Sequence, residues 1–387
     1  MMKKLNTPVY VFDEDKLVSN IEKINSSFIK YYDNFRLAYS YKTNYLNAIC
    51  KKTEELKCYA EVVSELEYQH ALNIGVAPNN IIFNGVTRNI DLAKRKINNG
   101  CRFNVDNIDE LEKLLNLFDG KAFKVGVRLN FDIGNDLVSR FGIDVNGDEY
   151  LRLLNIMSEC HTLKIVGLHC HISKARDLES WKRRVEKMLS IANDFRDLEY
   201  IDFGSNMYSE METSLAKQYA DFIPTFEDYA KVVALPFSEK YIGNKKPELI
   251  LELGTPLVAN TIGVLSSVKN IKTVRGQTFI TMDCSQFNLG AISLVKNVPV
   301  EIIKPYNCYH VENASFVGNT CIEHDILNTG FTGKIGVGSK VLFKNCGAYS
   351  LVNEPDFIHA KIPVYNISKQ QYECKEKTYD EVFGRYE

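Results

Sequence analysis

Five reactive side chains each lie at or just beyond the end of a short apolar or aromatic run. They are Lys42 after run 35–41, Glu61 in run 57–61, Arg128 in run 124–129, His171 in run 164–171 and Glu252 in run 248–252. A purely structural core would more often end such runs in aliphatic residues. A lysine, two carboxylates, an arginine and a histidine that meet at one rim predict a site that transforms a small polar molecule.

Lys42 lies in the segment Tyr-Ser-Tyr-Lys-Thr-Asn (39–44), directly after an apolar run. An amine that is desolvated at such a position can lose its proton, and a neutral amine forms a Schiff base with an aldehyde. A solvated lysine that caps a strand has the same sequence pattern. Position alone favours the solvated lysine, so the reactive interpretation depends on the other residues.

Glu252 ends a mostly apolar run and therefore needs a partner, because an unpaired buried charge is costly. A pyridinium N–H is a suitable partner, since the carboxylate would keep a pyridine nitrogen protonated. A salt bridge to a rim arginine such as Arg128 would satisfy Glu252 equally well. The residue alone does not separate these two interpretations.

His169 and His171 point to the same face of a predicted strand, because side chains alternate with a period of two. Such a pair could hold a divalent metal in a barrel hydrolase. Alternatively, His171 could stack on a flat cofactor while His169 packs below it. The other barrel histidines, His70 and His161, lie in helical or loop stretches, so stacking is favoured and no metal is expected.

A turn of small residues, Gly204, Ser205 and Asn206, follows the predicted strand 200–203. Exposed backbone N–H groups in such a turn can bind a phosphate, particularly before a helix N-terminus. An ordinary β-turn has the same composition. The turn is therefore either a phosphate-binding site or an ordinary β-turn without a binding role.

Two further candidates lie in the last third of the chain. Cys321 stands among titratable neighbours in 318–325, where a thiol can donate a proton or act as a nucleophile. A buried, inert cysteine is the commoner case. Tyr349 follows a glycine turn and offers a hydroxyl, although a packing role fits its sequence context equally well.

The elements that must position these residues alternate between strand and helix through the first two-thirds of the chain. Helical patterns at 45–56, 64–74, 106–117 and 181–195 separate the predicted strands. The eight predicted strands are 35–41, 57–61, 80–84, 102–105, 124–129, 164–171, 200–203 and 248–252. This alternation predicts a parallel (β/α)8 barrel, whose active site lies at the C-terminal ends of the strands. An open doubly wound sheet is the alternative, but no G-x-G-x-x-G follows the first strand.

A β-rich pattern replaces this alternation after about residue 262. The segments 278–282, 340–343 and 359–364 are predicted strands, and the opening strand at 9–12 is expected to pair with them. We therefore predict three units: an N-terminal segment 1–24 that joins the β domain, a barrel 25–262, and a C-terminal β domain 263–387.

The overall composition excludes several classes of function. The formal charge of −2 provides no basic field for nucleic acid or an anionic membrane. No apolar run approaches the ~20 residues of a membrane span, and the start lacks the apolar segment of a secretory signal. Ten cysteines without C-x-x-C spacing indicate reduced thiols. We therefore expect a cytoplasmic protein.

Taken together, these residues resemble the fold-type III decarboxylases that depend on pyridoxal 5′-phosphate (PLP), which act on diaminopimelate, ornithine or arginine. The likeness spans nearly the whole chain. It rests on the segments 7–13, 39–44, 61–64, 140–142, 167–172 and 347–349. By resemblance, the fold would be the barrel with a C-terminal β domain that these enzymes share with alanine racemase.

The resemblance also implies roles for individual residues. Lys42 would hold PLP as a Schiff base, and Cys321 would be a catalytic thiol donated across a homodimer interface. Substrate contacts are expected from Ile322, Glu323 and Asp325 after that cysteine. The other expected cofactor-binding residues are Glu61, Arg128, His171, Gly204, Ser205, Asn206, Glu252 and Tyr349.

The sequence departs from the family pattern at four places, one of which is the stretch 288–296, where the acidic or arginine residues that family members use to bind the substrate tail are missing. The phosphate turn, usually three glycines, is Gly204-Ser205-Asn206, and the arginine expected three residues after Glu252 is Thr255. The residue after the catalytic cysteine is normally acidic and holds the distal amine of the substrate, whereas here it is Ile322. These departures leave the substrate open among diaminopimelate, lysine, ornithine and others.

The resemblance implies an enzyme that removes the α-carboxylate of an amino acid, or of an amino-acid derivative, as CO2. Its partners would be a small-molecule substrate and a second copy of the chain. An amino-acid racemase on a related barrel would use the same lysine without loss of CO2. A metal-dependent barrel hydrolase built on His169 and His171, or a PLP-binding protein without activity, are the other interpretations.

Overall fold

A closed barrel of eight parallel strands forms the first two-thirds of the chain in a computed structural model, which describes residues 2–86, 89–135, 137–243 and 245–384. Strand β1 (Val9–Phe12) precedes the barrel. The next strands are β2 (Phe35–Ser40), β3 (Tyr59–Val62), β4 (Ile81–Phe83), β5 (Arg102–Val105), β6 (Phe123–Asn130), β7 (Ile143–Asp144), β8 (Leu163–His169), β9 (Tyr200–Asp202) and β10 (Glu248–Leu253). Pairing of β5 with β6 and of β10 with β2 closes the barrel, while β7 only extends β6.

Helices pack around the barrel between successive strands. Several begin at a side chain that accepts an N-terminal backbone N–H, such as Asp13, Ser64 and Asp177. The helices are α1 (Glu14–Ile29), α2 (Asn47–Glu55), α3 (Glu65–Ile74), α4 (Ile90–Asn98), α5 (Ile108–Phe118), α6 (Asp148–Glu159), α7 (Leu178–Ile191), α8 (Thr213–Ala216), α9 (Phe226–Lys240) and α10 (Thr255–Val258).

Tyr200 fills the interior of the barrel. A Cβ added to Gly126 or Gly167 would collide with the Tyr200 ring, so both glycines leave the space that the ring occupies. The Tyr200 hydroxyl donates to Asn104 Oδ1 at 2.6 Å, which satisfies this buried group. The barrel is therefore closed below by an aromatic layer, and polar residues lie above it.

A second sheet of nine strands forms the β domain. Its main strand order is β15-β14-β12-β11-β1-β17-β18, and β16 pairs with β11 and β13. Two short helices, α11 (Gln286–Leu289) and α12 (Tyr379–Phe383), accompany the sheet. Its later strands are β11 (Ile262–Val274), β12 (Gln277–Met282), β13 (Val300–Lys304), β14 (Tyr309–Val317), β15 (Ile326–Ile335), β16 (Lys340–Phe343), β17 (Val364–Asn366) and β18 (Gln371–Cys374).

The predicted architecture is confirmed, with one wrong strand. Each of the eight predicted runs overlaps one strand of the barrel, and a separate β sheet follows. The segment 359–364 is not a strand, because only its last residue belongs to β17. Pro363 has no N–H to donate to a sheet, and its carbonyl accepts from Tyr10 N at 2.9 Å just before regular pairing with β1 begins.

The β1 strand links the start of the chain to the β domain, since it pairs with β11 and β17. Residue 24 falls inside the continuous helix α1, which packs on α9 of the barrel. The first predicted boundary therefore divides one helix, and Asp13 is a better place for it. Residue 262 coincides with the start of β11. The division into 1–24, 25–262 and 263–387 otherwise stays a prediction.

All ten cysteines lie among the described residues and are free thiols. Six of them are buried, as expected for small apolar side chains. Within the described ranges, the helices are too short or too polar to cross a membrane.

Candidate active site

The C-terminal ends of the barrel strands surround a cavity of about 430 Å³. Closure of a parallel barrel brings these ends to one rim, even though the strands are far apart in sequence. The cavity is lined by all five residues from which the sequence predicted a site: Lys42, Glu61, Arg128, His171 and Glu252.

Lys42 lies in a single 3₁₀ turn directly after β2, and its side chain is 37% exposed to the cavity. Its ammonium is ion-paired with Oε2 of Glu61 on the neighbouring strand β3. The Ser40 hydroxyl donates to the same oxygen at 2.6 Å. Burial lowers the pKa of Lys42, but Glu61 and Glu252 raise it more, so the pKa lies above its ordinary value. The amine is therefore held as a cation beside a carboxylate that can accept its proton.

Glu252, at the end of β10, is 3% exposed and has a partner for each oxygen. Asn84 Nδ2 donates to Oε1 at 2.6 Å, and His169 Nε2 lies 3.2 Å from Oε2. Burial by itself raises the pKa of Glu252, but His169 and Lys42 lower it well below its ordinary value. Glu252 is thus an ionised carboxylate at the base of the cavity.

The sequence left open a salt bridge between Glu252 and Arg128. In the structure, Arg128 pairs with a different carboxylate. Its guanidinium lies 3.5 Å from Asp106 Oδ1 and 4.7 Å from the centre of the Phe141 ring. Because Arg128 pairs with Asp106, the carboxylate of Glu252 is bound by the Asn84 amide and the His169 imidazole below the cavity.

Asn84 joins the two carboxylates, since its Nδ2 also lies 3.1 Å from Glu61 Oε1. Its own Oδ1 accepts from Asn104 Nδ2 at 2.9 Å. The chain of hydrogen bonds continues from Asn104 to the Tyr200 hydroxyl in the barrel interior. A fully buried network of this kind fixes the orientation of the two carboxylates.

Asp202, at the end of β9, is a site residue that the sequence interpretation missed. It is fully buried, and its Oδ1 accepts from Gly204 N at 2.8 Å. Among the described residues, Oδ2 has no hydrogen-bond partner. Burial, followed by repulsion from Glu252, raises the pKa of Asp202 well above its ordinary value. The signal in the sequence was the same as for Glu252: a carboxylate in an otherwise apolar strand.

The two histidines of the His-Cys-His segment have different partners. His169 contacts Glu252, whereas Nδ1 of His171 accepts from Ser205 N at 3.2 Å. Burial, followed by the charges of Lys42 and Arg184, lowers the pKa of His171 to about 3, so its ring is neutral. A neutral ring in the cavity wall can stack on a flat ligand.

Among the described residues, the cluster of possible metal ligands contains His169 but not His171. His169, Asp202 and Glu252 instead have ligand atoms within 4.8 Å of one another. The 3.2 Å contact between His169 and Glu252 is a direct hydrogen bond. His169 and Glu252 therefore partner each other in the barrel interior.

The turn at Gly204, Ser205 and Asn206 lies beside the cavity wall. Gly204 has φ of +59°, and a Cβ there would lie 2.7 Å from Cys170 O and from the His171 ring. The position therefore requires glycine. The N–H groups of Gly204 and Ser205 already donate to Asp202 and His171. The turn consequently offers fewer open N–H groups than its sequence predicts.

The residues around Cys321 form a different site. They line a cavity of about 610 Å³ in the β domain, where Cys321 is exposed. Ile322 and Glu323 line the same cavity. Within one chain, the structure does not bring this loop to the cavity that contains Lys42.

Asp325 faces its own loop. Its carboxylate is 3% exposed and accepts from Gln286 N at 2.7 Å, from Thr320 N at 3.1 Å and from the Thr320 hydroxyl at 2.6 Å. It is therefore placed to hold the shape of the Cys321 loop. The expected contact with a substrate stays a prediction.

Tyr349 lies where the β domain meets the lysine turn. Its backbone N–H donates to Thr43 O at 2.9 Å, and Asn44 Nδ2 donates to Gly347 O at 2.9 Å. These contacts place the tyrosine beside the turn that carries Lys42. Its side chain is partly exposed, which leaves the hydroxyl available to a ligand.

The donors around the cavity fit pyridoxal 5′-phosphate. An amine beside a proton acceptor suits its aldehyde, and an ionised buried carboxylate suits a protonated pyridine nitrogen. The neutral ring of His171 offers a stacking surface. The absence of a Cβ on Gly204 lets the turn pack directly against the His171 ring, at the wall of the cavity.

Comparison with known proteins agrees with this chemistry. The model of the pyridoxal-dependent decarboxylase family, pyridoxal binding domain, matches residues 17–259. The diaminopimelate decarboxylase of Aquifex aeolicus is 25% identical over 84% of this chain and 78% of its own length. The enzyme of the same name from Methanocaldococcus jannaschii is 24% identical over 91% of this chain and 84% of its own.

Solved structures show the same fold. Diaminopimelate decarboxylase from M. jannaschii has a TM-score of 0.87 at 22% identity and covers 99% of this chain and 92% of its own. The enzyme from Helicobacter pylori, complexed with L-lysine, has a TM-score of 0.82 at 20% identity, with 99% and 98% covered. The chain therefore belongs to the pyridoxal-dependent decarboxylase family and is a PLP-dependent amino-acid decarboxylase of fold type III.

Proposed function

We propose that Lys42 binds the aldehyde of PLP covalently and that the cavity above Glu252 is where the α-carboxylate of an amino acid is removed. The observation that carries this proposal is the pairing of Lys42 with Glu61 in a cavity whose base is the ionised Glu252. When bound, PLP supplies the electron sink for the bond that breaks.

Four groups would hold the cofactor in this proposal. Glu252 would face the pyridine nitrogen, and Asn84 and His169 would keep its carboxylate in place. His171 would stack on the ring, and the turn 204–206 would hold the phosphate. Tyr349, beside the lysine turn, would contact the cofactor from the β domain.

Proton transfer at Lys42 would depend on Glu61. The amine must be neutral to react with an aldehyde, whereas it is held here as an ammonium. Glu61 contacts Nζ and can take the proton, while Ser40 and Asn84 keep its carboxylate oriented. Once released, the amine of Lys42 can take that proton back from Glu61 and, as an ammonium, donate it to the substrate.

We further propose that the active unit is a homodimer. Cys321 lies on a cavity apart from Lys42 in one chain, so its thiol would serve the site of a second copy. The loop that carries it is held by Asp325 and exposes the thiol. Ile322 and Glu323 would then contact the substrate across the interface. A cytoplasmic location fits the free thiols and stays a prediction.

The substrate would be an amino acid or an amino-acid derivative. Diaminopimelate is the first to test, because relatives across most of the chain carry that name. Ile322 provides no negative charge for a distal amine. We therefore expect kcat/KM to differ less between substrates with and without such an amine than it would if this residue were acidic.

The deciding experiment is reduction of the PLP-loaded protein with borohydride, followed by peptide mass analysis. We expect one pyridoxyl adduct, on Lys42, and CO2 release from at least one member of a screen of L- and D-amino acids. The Lys42→Ala variant should lose both signals, whereas Lys51→Ala, on the exposed surface of α2, should keep them. A pyridoxyl adduct on another residue, or no adduct at all, would refute the proposal.

A further inference from the structure

Arg184, on the barrel-facing side of α7, is fully buried and binds the backs of two loops. Its Nη1 donates to Ser205 O at 2.9 Å and lies 3.4 Å from Phe203 O. Its Nη2 donates to Ile172 O at 3.0 Å and lies 3.4 Å from Ala175 O. One guanidinium thus joins the loop after β8 to the turn 204–206.

Among the residues that the structure describes, this buried cation has no anionic partner. Within the described ranges, no carboxylate lies at ion-pair distance from Arg184, and its Nε has no hydrogen-bond partner. The guanidinium is stabilised by the four backbone carbonyls and by the Trp181 ring, 4.0 Å from its carbon, all of which are neutral. A buried charge without an opposite charge beside it is costly, and a bound anion would offset that cost.

The charge remains in place at neutral pH and acts on the cavity wall. Burial lowers the pKa of Arg184 only to about 10. The same charge contributes to the low pKa of His171, whose Nδ1 accepts from Ser205 N. Its field therefore extends through the turn to the cavity.

The turn itself provides little to bind the negative charge of a phosphate. The N–H groups of Gly204 and Ser205 are already used by Asp202 and His171, and Thr255 provides no charge after β10. A phosphate at this turn would therefore need positive charge from elsewhere. Arg176 is one cation at the turn, where its Nε donates to Asn206 Oδ1 at 3.0 Å. Arg184 lies directly behind the turn and is fully buried, so water screens its charge less.

We infer that Arg184 is a positioning residue for the cofactor phosphate, which holds the turn 204–206 in place and supplies the positive charge that a phosphate dianion there requires. This inference rests on the proposed function, which places the phosphate at that turn. The negative charge of the phosphate would in return stabilise the buried positive charge of Arg184. Loss of that positive charge should therefore weaken the binding of the cofactor.

The test compares the binding of PLP with that of pyridoxal, which lacks the phosphate, to the apoprotein. Quenching of protein fluorescence gives both dissociation constants and hence the preference of each variant for PLP. Arg184→Gln removes the charge but keeps donors for the carbonyls. We expect its preference for PLP to fall about tenfold or more, with pyridoxal affinity little changed.

Two further variants complete the comparison. Arg183→Gln removes an exposed charge from the same helix, where Arg183 pairs with Glu179 at 3.1 Å, and should keep the wild-type preference. Arg184→Lys retains the buried charge with fewer donors and should also keep it. The lysine variant therefore tests the inference even if the glutamine variant does not fold.

Three results would overturn the inference. The first is an unchanged PLP preference in folded Arg184→Gln, and the second is a lost preference in folded Arg184→Lys. The third is an equal fall in PLP and pyridoxal affinity, which would make Arg184 a structural brace without a charge effect. Wild-type protein that binds neither compound would instead refute the proposed function itself.

Discussion

His169 contacts Glu252 directly, with 3.2 Å between Nε2 and Oε2. The two residues are the last of β8 and the fifth of β10, and β9 lies between these strands. The contact therefore crosses the barrel interior below the cavity. It holds one oxygen of Glu252, while Asn84 holds the other. A carboxylate fixed in this way is suited to keep a ligand nitrogen protonated throughout a reaction.

Replacement of Glu252 should separate cofactor binding from catalysis. Glu252→Gln keeps the shape of the side chain but removes the negative charge that favours a protonated ring nitrogen. We expect kcat for CO2 release to fall by roughly 10²-fold or more, while the pyridoxyl adduct on Lys42 still forms.

Glu248→Gln is the matched control for this change. Glu248 is the first residue of the same strand and pairs with Arg102 at the opposite end of the barrel, 3.3 Å away. Its replacement should leave kcat close to the wild-type value. Equal kcat values for both variants would argue against a role for Glu252 in the reaction.

Removal of the amide that joins the two carboxylates should destabilise the protein. Asn84→Ala leaves Glu61 and Glu252 with one donor fewer each and removes one acceptor of Asn104. We expect the free energy of unfolding to fall by about 1–3 kcal/mol, as measured by urea denaturation.

Asn73→Ala provides the comparison, because exposed Asn73 only accepts from Gln69 at 3.1 Å. Its unfolding free energy should stay within about 0.5 kcal/mol of the wild type. If Asn84→Ala were no less stable than this control, the buried network would not contribute to folding as argued.

Gly167 should tolerate no side chain. Gly167→Ala places a methyl group into the Tyr200 ring inside the barrel, where the backbone cannot move far. We expect a loss of about 1–3 kcal/mol in thermal or chemical unfolding. Gly147→Ala, whose Cβ would meet its nearest neighbour at 3.5 Å, should change stability much less. Similar losses for both would contradict the packing of Tyr200 against Gly167.

Glu354 should make the stability of the β domain depend on pH. Burial raises the pKa of Glu354 from 4.5 to about 7, although Ile362 N and other donors oppose this. The folded state therefore keeps a proton that the unfolded state releases between these pH values. The resulting stabilisation is complete below pH 4.5 and is lost as the pH rises through about 7.

The Glu354→Gln variant carries a neutral side chain that does not titrate, so its stability lacks this dependence on pH. Relative to the wild type, its unfolding free energy should rise by about 2–3 kcal/mol between pH 5 and pH 8. Urea denaturation at both pH values measures the difference, and titration of all other groups cancels. Parallel pH profiles for the two proteins would show that Glu354 titrates near its ordinary value when folded.

A mixture of inactive variants should test the proposed dimer. Lys42→Ala and Cys321→Ala each lack one half of a shared site. If the thiol comes from the second copy, half of the randomly mixed dimers are hybrids with one intact site. We therefore expect about a quarter of wild-type activity after the subunits have been exchanged.

Cys321→Ala alone gives the internal check. Full activity of this variant would remove the thiol from the reaction. A mixture with no more activity than its components, together with proven subunit exchange, would show that the two residues do not share a site across the interface.

The sequence was sufficient to predict the barrel and the residues at its rim. Strand–helix alternation predicts parallel strands, and parallel closure places every strand end on one side. Lys42, Glu61 and Glu252 could therefore be assigned to one site without knowledge of their contacts. The segment 359–364 was mispredicted because the position of a proline relative to its partner strand is not a local property.

Only the tertiary structure decided which groups pair with each other. Arg128 contacts Asp106 and not Glu252, and Asp202 joins the site from a strand that reads as apolar core. Arg184 lies in an ordinary amphipathic helix, and nothing in the sequence indicates that it lacks an anionic partner among the described residues. Burial and pairing depend on residues that are distant along the chain, and barrel closure alone determines which of them meet.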